Sequence, residues 1–303
     1  MLIPPAFIQD ARPAVVATLP AANLLAEDLA FDAATGRWFV SSVHGREILV
    51  KKPGKAWRVF AHQNLSGVLA LGIDPPRRRL WATSVGLPQA GDLAPKDQGV
   101  SALVAFDLDS DHELRRIPLE GKGHALGDMA VASDGAVFVT DSQGGGVYRL
   151  DSEAMTLVAL VTPGTFRSPQ TPVVVEGGIL VPDYAKGLAF VPASGGTARW
   201  LTGPEGVDLR GIDGMALSGR RLYVVQNGAT PNRVLALDLD EGLTKVERIT
   251  VLLKVSEATH VLVREGALFI LADNGWERFD DAGALKKDAQ PERAPRILRL
   301  KLP

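Results

Sequence analysis

The sequence predicts an all-β fold: one six-bladed β-propeller domain over residues 1–303, built from four-stranded antiparallel blades. Three observations predict it. A pair of apolar runs joined by a polar turn recurs six times along the chain. Two further alternating runs follow each pair, except that the sixth unit has only one. An unmatched run near the N-terminus has the character of the missing one, so the last blade is expected to be closed by the N-terminal strand. Regular repetition of short alternating strands separated by turn residues is the sequence signature of a propeller.

In order, the first unit contains Leu29–Asp32, Arg37–Ser42, Glu47–Lys51 and Trp57–Ala61. The second contains Leu71–Asp74, Arg79–Ser84, Ala102–Leu108 and Glu113–Ile117, with an insertion at Val85–Val100. Met129–Ala132, Ala136–Asp141, Gly146–Leu150 and Thr156–Val161 form the third; Pro172–Val175, Gly178–Asp183, Gly187–Val191 and Thr197–Leu201 form the fourth. The fifth holds Met215–Leu217, Arg221–Asn227, Arg233–Leu237 and Val246–Leu252. The sixth holds Val261–Val263, Ala267–Asn274 and Arg296–Leu300, and Ala14–Leu19 is its candidate outer strand. Turns such as Ser133–Gly135, Glu176–Gly178 and Ser218–Gly219 carry the glycine and short polar residues that hairpins need. Only Pro20–Asp28 has the character to turn helically. A β-sandwich or solenoid is the alternative, but neither uses the spare strand at one end to fill a gap at the other.

Composition narrows the function. Hydrophobic residues at 46% and charged ones at 22% are those of a soluble globular protein. A net charge of −2, with no basic block beyond the hairpin tip Arg77–Arg79, argues against nucleic acid or a membrane surface as partner. The absence of cysteine removes disulfides, thiolate metal sites and cysteine nucleophiles, and leaves cytoplasm and periplasm equally open. No apolar stretch is long enough to span a bilayer, and the apolar residues 1–9 lack the basic lead-in of a signal peptide. Phosphate loops, dinucleotide fingerprints, zinc-protease motifs and nucleophile elbows are all missing. A closed ring needs no second subunit, so a monomer with a small-molecule substrate or ligand is expected.

The repeats align with one another. One column at the start of the inner strands reads Glu27, Leu69, Gly127, Gln170, Asp213 and Thr259; the next reads Asp28, Ala70, Asp128, Thr171, Gly214 and His260. In a propeller these residues converge on the axis. Glu27 and Asp213 are then two carboxylates aimed at one small volume, where like charges repel unless neutralised. A hard divalent cation, calcium above all, would do so, with a Gln170 amide oxygen as a further donor. The alternative is that both carboxylates bond to backbone N–H groups or channel water. His44, His124 and His260 fall on the same face and are candidates for substrate contact or proton transfer, set against a purely hydrogen-bonded role. Asp128, beside the empty Gly127 position, and Trp276, in the long Gly275–Pro295 loop, complete the candidate substrate-binding set. Asp141, Asp183 and Asp273 end second strands and are expected to organise turns.

The phrases Ala26–Asp32, Gly127–Gly135, Ser168–Gln170 and Ile212–Ala216 resemble those of the regucalcin/gluconolactonase group of six-bladed propellers. The resemblance covers essentially the whole chain, and each phrase is short. It implies a divalent metal on the axis held by a Glu and an Asp, here Glu27 and Asp213, with Asp213 as the base that directs water at a lactone carbonyl. The two asparagine positions of the pattern fall on Gly127 and Gln170, and its sugar-binding arginine falls on Ala125. Two functions are therefore carried forward: a metal-dependent lactone or ester hydrolase, and a non-catalytic propeller that binds a ligand or protein on the same face.

Overall fold

The computed structural model describes residues 6–7, 12–289 and 293–302. Six antiparallel sheets form the ring. From the axis outward, blade 1 runs Ala26–Asp32, Arg37–Ser42, Glu47–Lys51 and Trp57–Ala61. Blade 6 runs His260–Arg264, Ala267–Ala272, Arg296–Lys301 and then Ala14–Thr18. The N-terminal strand thus closes the last blade, with Ala14 opposite Arg299 and Thr18 opposite Arg296. The added strand covers the edge of Arg296–Lys301 and joins early and late parts of the sequence in one blade, which ties the ring shut.

Blade 5 carries an addition the repeat pattern does not show: Ala6–Phe7 pairs in parallel with the outer strand Val246–Lys254. The rest of the apolar segment 1–9 lies outside the described residues. Blade 4 has a shorter outer strand than expected, Arg199–Trp200. Pro20–Asp28 is not helical; it turns at Asn23–Leu24 and enters the inner strand at Ala26, with Leu25 in the left-handed region at φ 49°. None of the described helices is long and apolar enough to cross a membrane.

The apolar residues are buried between neighbouring blades, because both faces of every blade but for its outer edge meet another sheet. Phe39, Phe60 and Phe106 fill the gap between blades 1 and 2, with edge-on ring contacts at 5.1 and 6.0 Å. Phe138, Phe166 and Ile179 do the same between blades 3 and 4. Truncating such a ring typically costs about 3–5 kcal/mol.

Polar residues at the ends of the second strands lock the loops that lead into each blade. Asp141 Oδ1 accepts the backbone N–H of Ala125 at 2.9 Å and of Gly144 at 2.8 Å. Asp183 binds the N–H groups of Arg167, Ala185 and Lys186. Gln226 donates to the carbonyls of Asp208 and Arg210. The expected turn-organising role of Asp141 and Asp183 is therefore visible, and Asp273 binds the Arg296 guanidinium at 2.5 Å.

At the opposite end of the inner strands, Asp32 is 1% exposed and meets Arg37 at 3.1 Å and Arg78 at 2.9 Å. Burial alone would raise its carboxyl, but hydrogen bonds from Arg78, Thr35 and Arg37 outweigh that and hold it well below the usual carboxylate range.

Candidate functional site on the axis

The inner strands are irregular where they begin. In blade 1 two residues, Glu27 and Asp28, stand opposite the single Ser41; in blade 2 Leu69 and Ala70 stand opposite Thr83; in blade 5 Asp213 and Gly214 stand opposite Val225. These are β-bulges, which re-aim side chains and break the ladder locally. The opposing hydroxyls repair the break. Ser41 Oγ accepts the Asp28 N–H at 2.8 Å and donates to the Leu69 carbonyl at 2.7 Å, and Thr83 Oγ1 accepts the Ala70 N–H at 2.9 Å. Gly214 has no alternative: a Cβ there would stand 2.3 Å from the Thr259 carbonyl oxygen.

Four residues of the first aligned column, Glu27, Gln170, Asp213 and Thr259, line one cavity of about 270 Å³. Trp276 and Asn227 share it. The Trp276 indole N–H donates to one oxygen of Glu27, and Asn227 donates to Asp213 Oδ2 at 2.5 Å. Tyr184 in turn donates to Asn227 Oδ1 at 3.0 Å, which fixes the orientation of the amide. Gln170 donates to Ser168 Oγ at 2.8 Å through its nitrogen, leaving its oxygen unengaged. Among the described residues no arginine or lysine lines the cavity. Burial, followed by the nearby Asp213, pushes the Glu27 carboxyl well up against the opposing Trp276 bond. Burial and Asp128 push Asp213 up against the opposing Asn227 bond.

The second aligned column forms a separate buried cluster. His260 Nε2 lies 3.1 Å from Asp28 Oδ1, and Thr171 Oγ1 donates to Asp128 Oδ1 at 2.5 Å. Asp28 also accepts the N–H of Leu71 at 2.7 Å. Burial raises Asp28 to about 8 and Asp128 to about 6, and lowers His260 to about 4. At neutral pH His260 is therefore an uncharged neighbour of acids, not a counter-ion. Asp128 and His260 do not line the axis cavity.

His44 and His124 are also outside it. His44 Nδ1 is 3.0 Å from the Gln89 carbonyl, and its ring packs 5.5 Å from Phe279. It sits where the two long loops meet: Gln89 Nε2 donates to the Asp280 carbonyl at 2.9 Å. The loop at 85–100 and the segment 276–280 therefore brace each other beside blade 1. His124 Nδ1 lies 2.7 Å from Asp141 Oδ2, within the loop-locking arrangement of blade 3.

Column reading of the inner strands misses Tyr184, Asn227, Asn274 and Glu257 on the cavity wall. A signal for the first three existed. Each immediately follows the locking position at the end of a second strand, beside Asp183, Gln226 and Asp273. Glu257 lies in the loop leading into blade 6, where no repeat register guides the eye.

No protein-family model matches the chain, and no curated protein matches it in sequence. Solved structures match it in fold. A gluconolactonase from Xanthomonas campestris is 16% identical at a TM-score of 0.63, covering 97% of this chain and 90% of that one. The PQQ-bound aldose sugar dehydrogenase from Streptomyces coelicolor is 13% identical at a TM-score of 0.67, covering 96% and 99%. A virginiamycin B lyase from Staphylococcus aureus, in a catalytically inactive form with quinupristin, is 14% identical at a TM-score of 0.65, covering 94% and 83%. At these identities the likeness bears on the fold alone; the six blades are this chain's own sheets, and the printed names of the three neighbours span three different chemistries.

Proposed function

We propose that the axis cavity is a metal-dependent hydrolytic site for a lactone or small ester. The observation that carries this reading is a pair of carboxylates, Glu27 and Asp213, that share one cavity with no cationic side chain on its wall. Two such groups cannot both ionise cheaply without a partner. The residues fit a hard divalent cation such as calcium: Glu27, Asp213 and Gln170 each retain an oxygen that no protein donor occupies. When bound, such an ion polarises a carbonyl and makes water more acidic.

The chain's own residues supply the rest. Asn227, held by Tyr184, fixes Asp213 through one oxygen and leaves the other toward the cation and the water beside it. With its proton affinity raised by burial, Asp213 takes the proton of water as the water oxygen bonds to the carbonyl carbon. The ring or ester C–O bond then breaks, and the departing alkoxide receives that proton. Trp276 holds Glu27 and walls the cavity, and Thr259 and Asn274 offer polar contacts to the substrate. Nothing on the wall matches the arginine that the resembled group uses for sugars, because Ala125 stands there, 3% exposed. Polar groups of the substrate would instead meet Asn232, Thr259 and Asn274.

A panel of lactones and aryl esters assayed with and without chelator tests the proposal. Hydrolysis abolished by chelator and restored by calcium is expected; activity indifferent to chelator would contradict the metal. One observation favours a second reading, a non-catalytic ligand-binding propeller: among the described residues no group of three or more His, Asp or Glu comes together as metal ligands. Ligand binding at the axis without turnover of any panel member would support it.

A further inference from the structure

We propose a second ligand site, for an amphipathic monocarboxylate, in the cleft between blades 2 and 3. This cleft lies by the turns that join first and second strands, at the face of the disc opposite Glu27. It encloses about 920 Å³. Its blade 2 wall is set by register. Trp81 and Arg115 both stand opposite Ala105, so the three form one row across the second, third and outer strands. Arg79 lies two residues before Trp81 and so on the same face of its strand.

Two features of this wall have no structural explanation among the described residues. Arg79 and Arg115 make no ion pair or side-chain hydrogen bond among the described residues, unlike their neighbour Arg77, which meets Asp74 at 3.3 Å. The indole N–H of Trp81, a residue 2% exposed, is buried without a hydrogen-bond partner. Buried donors are almost always paired, because an unmade bond is costly. Two uncommitted guanidinium groups and a lone indole N–H thus share the blade 2 wall, and none of the carboxylates lining the cleft reaches them.

A ligand carboxylate supplies acceptors. Its two oxygens match the planar fork of a guanidinium, and a shift of the buried Trp81 ring on binding would bring its N–H to one of them. The remaining lining decides the rest of the ligand. Leu114, Leu150 and Met155 offer an apolar surface for a hydrocarbon or aryl body. Asp134, Asp151 and Glu153 stand on the blade 3 side and oppose a dianion, so a single negative charge fits better than phosphate. Asp134 and Asp151 are themselves occupied by backbone N–H groups of Ala136, Glu153 and Ala154, which leaves the arginines free of them.

Calorimetric titration of the intact protein with 4-phenylbutyrate, its neutral amide and inorganic phosphate tests the site. The carboxylate should bind at least about tenfold more tightly than either of the other two. The double variant R79Q/R115Q should weaken it at least about tenfold, while the folded protein keeps its circular-dichroism spectrum; W81F, which keeps the ring and loses the donor, should weaken it about threefold. Equal binding of the amide or of phosphate, no binding at about 10 mM, or arginine variants that bind like wild type would each overturn the proposal. Tight binding with W81F unaffected would overturn the part assigned to the indole.

Discussion

Asp32 and Asp28 sit on one seven-residue strand, and both are almost completely buried, yet their surroundings are opposite. At the outer end of the strand Asp32 is clasped by Arg37, Arg78 and Thr35, and its carboxyl is held low. Near the axis Asp28, Glu27 and Asp213 meet no arginine or lysine, and burial pushes all three up. The first arrangement is complete within the chain: charge, hydrogen bonds and packing balance. The second has neutral hydrogen-bond donors, Leu71, Trp276 and Asn227, but among the described residues no guanidinium or ammonium group to offset burial. Groups perturbed in this way are candidates for a functional site, which is the contrast to test.

The largest effect that would sharpen this contrast is expected from D213N and E27Q. Each should weaken calcium binding at least about 100-fold in calorimetry, by analogy with lost charged ligands. Neither should lower the melting temperature in chelator, since each removes a repulsion. D32N should do the reverse. Calcium binding should stay as in wild type, while unfolding in urea reports a loss of about 3 kcal/mol, the usual cost of stripping one partner from a buried pair.

The two regions should also respond to pH with opposite sign. Asp32 has a lowered folded value, so its contribution is present above the ordinary carboxylate range and lost as pH falls below about 4. Asp128 has a folded value raised to about 6, so its contribution is present below about 4 and lost as pH rises through 6. Urea unfolding in chelator should show the gap between wild type and D32N closing under acid. D128N should flatten the decline of stability between pH 4 and 6; a variant that declines in parallel with wild type would break the contrast. The smallest effect belongs to W276F. Losing the N–H that steadies the Glu27 carboxylate should reduce calcium affinity by about threefold to tenfold.

The ring itself was legible because strand alternation and turn chemistry repeat. Arg37–Ser42, Glu47–Lys51, Trp57–Ala61 and Gly178–Asp183 have the same limits in sequence and structure. The inner strands read short, starting at Leu29, Leu71 and Met215 in place of Ala26, Gly67 and Ile212. Bulges are the reason: two residues oppose one, so the period-two pattern fails exactly where polar residues turn to the axis. The column alignment nonetheless brought Glu27, Gln170 and Asp213 to one cavity. It missed Asn227 and Tyr184, which come from second-strand ends, and it could not separate Asp128 and His260, one residue further on, from the cavity wall. His44 supports the paired loops and His124 the blade 3 lock, contacts that depend on loop packing no repeat encodes.

What occupies the axis decides the role of Glu27 and Asp213 most directly. A crystal of the protein soaked in calcium should show a cation bonded to oxygens of both Glu27 and Asp213, at about 2.3–2.6 Å. Density showing these two carboxylates bonded only to protein and water, in a crystal saturated with calcium, would contradict their role as ligands.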